Sequence, residues 1–284
     1  MQREIDIIKK LRSWAEGNGA VRAVVLTGSR ANFDRVTDVF SDYDIELYTK
    51  DIQSFMNDDW LSFFGEIMVI WPLKPVATFD KDWITRLVLF ENGVRIDFQI
   101  TSKLSIDSSV REGYHKFLVD KDGLAKELNQ AHSHGFVIKR PTMEEYYSLV
   151  NSFFWDATYV AKTLYRDELC YAKYMLDNIL RFNCLQPMIE WYIAMQHGWS
   201  VNTGKCGRHF KSYLDAKTWT ELEATFSDAD IGNNWRAFFN MISLFRRLAR
   251  EVARNEQYNY PEGTDRKVAE YCLKIQATEK NIAN

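Results

Sequence analysis

The sequence has no excess of basic charge. Its 36 lysine and arginine residues are outnumbered by 39 aspartate and glutamate residues, which gives a formal net charge of −3. Proteins that bind nucleic-acid backbones usually carry a basic stripe, because contacts to phosphates supply much of their affinity. The charge balance therefore argues against a nucleic-acid partner and favours a neutral or cationic small substrate.

Cysteine is scarce, and long apolar runs are absent. The chain has no C-x-x-C or G-x-S-x-G motif, so redox and hydrolase chemistry have no support. The N-terminus lacks an apolar segment, and the longest strongly apolar run, residues 67–73, is too short to cross a bilayer. These absences predict a cytoplasmic protein with no membrane partner. They also predict reduced and mostly buried thiols at the four cysteines, Cys170, Cys184, Cys206 and Cys272.

What is present is a functional signal within residues 21–47. An apolar run ends at Gly28-Ser29, and after a polar connection Asp42-x-Asp44 opens a second strand-like run. Strand side chains alternate between faces, so the two carboxylates share one face. Such a pair suits Mg2+, which binds one or two protein carboxylates together with water and phosphate oxygens. Gly28 allows phosphates to approach, and Ser29 offers an amide and a hydroxyl to them.

A third carboxylate is predicted on a later strand. Asn92-Gly93 is a strong hairpin-turn signal, and the strand over residues 94–100 alternates with its apolar side chains on one face. Asp97 lies on the other, polar face. An ordinary surface ion pair between Asp97 and Arg95 is the alternative interpretation. The presence of two more carboxylates in the same half of the chain favours a shared site.

The hydrophobic pattern changes near residue 140. Thr142 and Glu145 form a capping-box pattern, and after them only helical periodicity is found, with a break expected near Pro187. The sequence therefore predicts an α+β fold. We expect a mixed sheet with flanking helices over residues 1–140, followed by an all-α helical bundle over residues 141–284.

One helix of the second half carries a candidate substrate patch. Trp155, Asp156 and Tyr159 lie off the apolar stripe of the helix that begins after Thr142. An aromatic ring beside a carboxylate suits a cationic sugar with amino or guanidino groups. A helix–helix contact is the alternative, and it is the more common reason for such residues.

A basic loop at residues 204–211 is a candidate phosphate contact. It contains glycine and opens a predicted helix, so Lys205 could bind a triphosphate from the side opposite a metal. The spacing does not match a P-loop. An ordinary surface loop explains the same residues equally well.

Gly28-Ser29 after one strand and Asp42-x-Asp44 at the start of the next resemble the signature of the polymerase-beta-type nucleotidyltransferase fold. Further segments make most of the chain similar to the aminoglycoside 6-adenylyltransferase (streptomycin adenylyltransferase) family. They are Ile-Lys-Arg-Pro-Thr at 138–142, Phe-Phe-Trp-Asp-Ala-Thr-Tyr-Val at 153–160, the lysine loop, and Phe-Arg-Arg at 245–247.

The resemblance implies transfer of AMP from ATP to a hydroxyl of the antibiotic, with release of pyrophosphate. It implies that Asp42, Asp44 and Asp97 hold Mg2+. The phosphates would be bound at 28–30, by Gly28, Ser29 and Arg30. Asp97 is the first candidate for the general base, and a carboxylate of the helical domain is the second.

The resemblance also suggests the 6-hydroxyl of streptomycin as the acceptor and a monomeric enzyme. Three alternatives stay open. One is a lincosamide or other aminoglycoside nucleotidyltransferase, and another is an RNA-directed nucleotidyltransferase, which the acidic pI disfavours. The third is a non-catalytic binding or antitoxin-like module of the same fold, which the three intact carboxylates disfavour.

Overall fold

The computed structural model describes residues 2–32, 37–76, 82–105, 114–127 and 137–278. The chain divides into two compact units, Met1–Gly135 and Phe136–Asn284. This division lies slightly before the boundary predicted at residue 140. The first unit contains a sheet and the second is helical, so the predicted α+β fold class is confirmed.

The first unit contains one six-stranded sheet among its described residues. Its strands are β1 Val21–Thr27, β2 Tyr43–Thr49, β3 Ile67–Trp71, β4 Trp83–Phe90, β5 Arg95–Thr101 and β6 Lys116–Asp120. They lie in the order β3-β4-β5-β2-β1-β6. Strands β2 and β5 are parallel, and all other neighbours are antiparallel. The sheet is therefore mixed, as predicted.

The two faces of this sheet differ in polarity. Alternation places Tyr43, Ile45 and Leu47 of β2 in the buried core, as predicted. Apolar residues of α1 (Gln2–Gly17) belong to the same core. The opposite face carries Asp44 and Glu46 of β2, both half-buried. The polar residues of the predicted site therefore face away from this main core.

The segment between β2 and β3 contains two 3-10 helices, Ile52–Phe55 and Asp59–Phe63, where a single α-helix would be expected from its apolar residues. Asp51 Oδ1 accepts a hydrogen bond from the Gln53 amide at 3.1 Å, and Asn57 Oδ1 accepts one from the Asp59 amide at 3.1 Å. Short polar side chains that bond the backbone two residues ahead compete with α-helical bonding. A third 3-10 helix follows at Leu124–Glu127.

The second unit contains no strand among its described residues. The predicted capping box is present, because the Thr142 hydroxyl accepts from the Glu145 amide at 3.2 Å and the Glu145 carboxylate accepts from the Thr142 amide at 2.7 Å. It starts α3, whose Phe153 ring stacks on Phe245 at 3.7 Å in the core. The α-helices are α3 Met143–Tyr165, α4 Leu169–Lys173, α5 Gln186–Gln196, α6 Phe210–Tyr213, α7 Ala216–Glu223, α8 Ile231–Glu256 and α9 Glu262–Ala277, after the four-residue α2 Gly28–Ala31 of the first unit.

A π-helix over Tyr174–Leu185 separates α4 from α5. Hydrogen bonding changes to α-helical at Gln186, next to Pro187, where the sequence predicted a break. The prediction of mostly buried thiols is right for Cys184 and Cys272 and wrong for the exposed Cys170 and Cys206. None of the described helices is long and apolar enough to cross a membrane.

Candidate active site

The parallel register of β2 and β5 places two of the predicted carboxylates side by side. Asp44 and Asp97 are direct Cα partners on neighbouring strands, which lie about 4.8 Å apart in a sheet. Both side chains project from the polar face. Asp42 lies immediately before β2, and because it is two residues from Asp44 its side chain is expected on the same face. The structure therefore brings Asp42, Asp44 and Asp97 together on that face, at the start of the two central strands.

Gly28 lies directly against the Asp44 carboxylate. Its φ is +66°, and a Cβ at this position would be 2.0 Å from Asp44 Oδ2 and 2.8 Å from Asp44 Cγ. Thr27, the last residue of β1, is the Cα partner of Asp44, which explains the proximity. Any side chain at residue 28 would displace the carboxylate. The glycine is therefore required both by the backbone conformation and by the approach of Asp44.

Burial and mutual repulsion act on these carboxylates. Burial, followed by the charges of Asp97 and Asp42, raises the pKa of Asp44 to about 6, and the nearby Arg95 offsets this only in part. Burial also raises the pKa of Asp42, again opposed by Arg95. Burial and neighbouring negative charge both disfavour the ionised form of a carboxylate, and a bound cation offsets both effects. The site is therefore suited to receive a cation.

Arg95 partly supplies that positive charge. Its Nε donates to Asp97 Oδ1 and its Nη2 donates to Asp97 Oδ2, each at 2.8 Å. Its Nε also lies 3.6 Å from Asp42 Oδ2. The hydrogen bonds to Asp97 raise the pKa of Arg95 further. The ion pair that was the alternative interpretation of Asp97 thus exists, and it lies inside the carboxylate cluster.

Arg30 supports the loop that leads to the carboxylates. Its guanidinium donates to the backbone carbonyls of Asp38, Ser41 and Asp42 at 2.8–3.1 Å. It also lies over the Tyr43 ring at 4.2 Å. These contacts fix the chain just before β2. A phosphate-binding role for Arg30, and likewise for Gly28 and Ser29, stays a prediction.

The fit of these residues to a metal ion rests on two carboxylates. Within the described ranges, no group of three or more histidine, cysteine, aspartate or glutamate side chains is arranged to hold one ion. Asp42 and Asp44 nevertheless supply the hard oxygen ligands that Mg2+ prefers, and one or two protein carboxylates are enough for that ion. The donor set therefore fits Mg2+. A ligand role for Asp97, whose oxygens bond Arg95, stays a prediction.

The candidate substrate patch on α3 is partly packed. Trp155 is 64% exposed, and its ring meets Tyr159 edge-on at 6.4 Å. Tyr159 packs against the helical core, and the Lys162 ammonium lies 4.6 Å from its ring centroid. Burial raises the pKa of Asp156, whose charge in turn contributes to the raised pKa of Cys184 in the π-helix. The patch combines an exposed ring with a partly desolvated carboxylate, and its substrate role stays a prediction.

The loop of Lys205 is a 3-10 turn, Lys205–Gly207, and Lys205 is exposed. Its ammonium has no carboxylate partner within the part of the chain that the structure describes. Gly204 precedes it with φ +73°, where a Cβ would lie 2.5 Å from Arg208 Cγ. The helix that this loop opens, α6, has only four residues. The phosphate role predicted for Lys205 therefore depends on its ammonium alone and stays a prediction.

The chain is similar to known proteins over almost its whole length. A family model described as streptomycin adenylyltransferase matches residues 1–275. An aminoglycoside 6-adenylyltransferase of Bacillus subtilis (strain 168) is 32% identical, and the match covers 99% of this chain and 100% of that protein. A namesake from Staphylococcus aureus is 31% identical, with 92% and 94% covered. A solved structure, the crystal structure of an aminoglycoside 6-adenyltransferase from Bacillus subtilis, matches with 27% sequence identity and a TM-score of 0.48. The match covers 95% of this chain and 97% of that one.

Proposed function

This chain belongs to the streptomycin adenylyltransferase family, and from that membership we propose that it inactivates an aminoglycoside by adenylylation. In this reaction it transfers AMP from ATP to a hydroxyl of the drug, with the 6-hydroxyl of streptomycin as the acceptor. The hydroxyl oxygen forms a bond to the α-phosphorus, the bond from that phosphorus to the bridging oxygen breaks, and pyrophosphate leaves. A base of the protein removes the hydroxyl proton.

One observation carries the proposal at the level of chemistry. The strand register sets Asp44 beside Asp97, with Asp42 next to them and Gly28 against the Asp44 carboxylate. Asp42 and Asp44 would hold Mg2+ together with the phosphates of ATP. When bound, this ion neutralises charge on the polyphosphate and polarises the α-phosphorus. The remaining contribution of the protein is to position the reactants and to balance their charge.

The general base needs a carboxylate oxygen that is free to accept a proton. Asp97 is the first candidate because it lies beside Asp44, and its side chain is only 16% exposed. Both of its oxygens accept hydrogen bonds from Arg95. Each oxygen keeps a second lone pair, so Asp97 can still accept a proton, and movement of Arg95 away from one oxygen opens that oxygen to the substrate hydroxyl. A carboxylate of the helical unit is the alternative base.

A cationic acceptor is supported by the charge of the chain and by the α3 patch. Streptomycin carries guanidino groups, which pair with carboxylates and stack on aromatic rings. Trp155, Asp156 and Tyr159 offer both kinds of contact. The net charge of −3 favours the approach of such a molecule. A lincosamide, which has no guanidino group, would gain less from these groups.

The proposal is tested by incubating the purified protein with Mg2+, ATP and a panel of acceptors while pyrophosphate release is measured. Release that depends on streptomycin, with addition of one AMP to the drug by mass spectrometry, is the expected result. Release with a lincosamide or another aminoglycoside alone would move the proposal to the related enzyme class. No release with any acceptor, together with no Mg2+-dependent ATP binding, would favour the non-catalytic module.

A further inference from the structure

Arg95 is a cation held within the carboxylate cluster. It spans Asp97 with two hydrogen bonds of 2.8 Å and reaches to 3.6 Å from Asp42. Another guanidinium close to Asp42 belongs to Arg30, which donates hydrogen bonds to the backbone carbonyls of Ser41 and Asp42. Arg95 is therefore the residue that neutralises Asp97.

The position of Arg95 follows from the strand that carries it. Arg95 and Asp97 are two residues apart on β5, so both side chains project from the same face. The Arg95 side chain is 44% exposed, compared with 16% for Asp97. The Arg95 side chain is held at its guanidinium by Asp97, and nearly half of its surface is exposed. Rotation about its side-chain bonds can therefore release the carboxylate without a change in the strand.

We propose that Arg95 is an internal counter-ion of the carboxylate cluster. A bare divalent cation must displace it, whereas the polyphosphate of a metal–nucleotide complex accepts the hydrogen bonds of its guanidinium. The planar guanidinium fork bonds phosphate oxygens in the same two-pronged way as it bonds a carboxylate. A nucleotide therefore replaces the hydrogen bonds that Arg95 gives up at Asp97. A bare cation offers no such replacement.

Two consequences follow for the site. First, the site discriminates between the free cation and the cation–nucleotide complex, because only the complex supplies a new partner for the guanidinium. Second, transfer of Arg95 to phosphate frees the Asp97 oxygens when the nucleotide is present. This inference rests on the proposed function, since it names the residue that couples nucleotide binding to release of Asp97.

The test compares Arg95→Gln with the wild-type protein in two binding measurements that need no turnover. Free Mn2+ binding is followed by electron paramagnetic resonance without nucleotide. Binding of Mn2+ with α,β-methylene-ATP is followed by calorimetry. The variant is expected to bind free Mn2+ about 10-fold more tightly and the analogue complex about 10-fold more weakly, a change of about 1.4 kcal/mol in each case. Unchanged or weaker binding of free Mn2+ would overturn the proposal.

Arg22→Gln is the matched control. Arg22 pairs with Asp122 in the same unit, so its loss changes the net charge equally without touching the carboxylate cluster. Arg22→Gln should leave both affinities unchanged. Equal effects of Arg22→Gln and Arg95→Gln would show that net charge alone changes the affinities, and this would contradict the proposal.

Arg95→Lys keeps the charge and removes the fork, which covers the case in which the glutamine variant does not fold. It should bind the analogue complex more weakly and free Mn2+ about threefold more tightly, as expected from loss of the second hydrogen bond. Wild-type values in both measurements would overturn the proposal. If both binding measurements give the expected changes but the wild-type protein transfers no AMP, the result counts against the proposed function alone.

Discussion

One arginine–aspartate fork from each unit, Arg246 with Asp265 and Arg95 with Asp97, shows how a structural ion pair differs from a functional one. In the helical unit, Arg246 of α8 donates to both oxygens of Asp265 at 2.5 and 2.6 Å, and the Tyr260 hydroxyl donates to Asp265 at 2.9 Å. Only 3% of the Asp265 side chain is exposed. In the sheet unit, Arg95 holds Asp97 with the same geometry but higher exposure.

The difference lies in the surroundings of each fork. Asp265 has three strong donors, so its charge is balanced and the fork links α8 to α9. Asp97 lies beside Asp44 and Asp42, and the cluster has more negative than positive charge. An unbalanced cluster of this kind costs stability without a ligand, which is typical of functional sites. Charge balance, rather than hydrogen-bond geometry, therefore distinguishes the two forks.

The largest effect is expected for Asp42→Asn in the sheet unit. Loss of a metal-binding carboxylate should lower the rate of AMP transfer on the order of 10³-fold, which corresponds to about 4 kcal/mol of transition-state stabilisation. Steady-state kinetics with saturating nucleotide measure this. The fold should persist, because Asp42 is partly exposed. A variant with wild-type rate would remove Asp42 from the site.

The second-largest effect is a loss of stability, expected when the structural ion pair between Arg246 and Asp265 is broken. Asp265→Ala removes a carboxylate that is only 3% exposed and takes the shared acceptor from the half-buried Arg246 and from the Tyr260 hydroxyl, so we expect the free energy of unfolding to fall by about 3 kcal/mol. Urea unfolding measures this change. The rate of AMP transfer per folded molecule should stay within about twofold of the wild type. A large loss of rate with unchanged stability would show that the fork between Arg246 and Asp265 is functional rather than structural.

Gly28→Ala tests the contact between glycine and carboxylate. Its positive φ should cost about 1–2 kcal/mol of stability. The added Cβ, 2.0 Å from Asp44 Oδ2, should also lower the transfer rate, by about 10-fold through the displaced carboxylate. Gly123→Ala is the matched control, since Gly123 has φ +78° and its Cβ would lie 3.7 Å from Lys126 Cε. If both variants keep full activity, the approach of Asp44 to Gly28 has no catalytic importance.

The charge imbalance itself predicts a pH effect. The pKa of Asp44 is raised from its ordinary 3.8 to about 6, so the folded protein holds this proton more tightly than the unfolded chain. The stabilising contribution is present in full below about pH 4 and is lost as the pH rises through about 6. Asp44→Asn, which stays neutral, should therefore raise the melting temperature in metal-free buffer at pH 7 by about 2–4 °C, and by less at pH 4. A difference that does not change with pH would contradict the imbalance.

The smallest stability change is expected at the exposed ring of α3. Trp155→Ala should alter the free energy of unfolding by less than about 0.5 kcal/mol. If the ring contacts the drug, KM for streptomycin should rise several-fold while kcat changes little. Phe182→Ala removes another partly exposed ring of the helical unit, with 46% exposure, and should leave KM unchanged. Equal KM values for Trp155→Ala and the wild type would leave the α3 patch as a packing feature.

Strand periodicity is a local property, and it predicted much of the site. The alternation at Asp42-x-Asp44 and around Asp97 correctly indicated one polar face. The Thr142 capping box was also readable, because both of its hydrogen bonds lie within four residues. The resemblance to the adenylyltransferase family drawn from these motifs is confirmed by the comparisons.

Other features depend on long-range packing and could not be predicted in this way. The alternation of β4 places Arg86 on the core side, but only the fold brings Asp58 to it, at 2.8 Å from Nε. The π-helix at Tyr174–Leu185 has no simple periodic signature. The ion pair between Arg95 and Asp97 was visible as an alternative in the sequence, but its place beside Asp44 depends on the parallel pairing of β2 with β5.

The most direct test of the account is a change of metal preference at Asp44. Asp44→Cys replaces a hard oxygen ligand by a thiolate, which favours softer ions such as Cd2+ over Mg2+. We predict that transfer of AMP to streptomycin by this variant is lost with Mg2+ and is partly restored with Cd2+, whereas the wild-type protein is active with Mg2+. Full activity of Asp44→Cys with Mg2+ would contradict the assignment of Asp44 as a metal ligand.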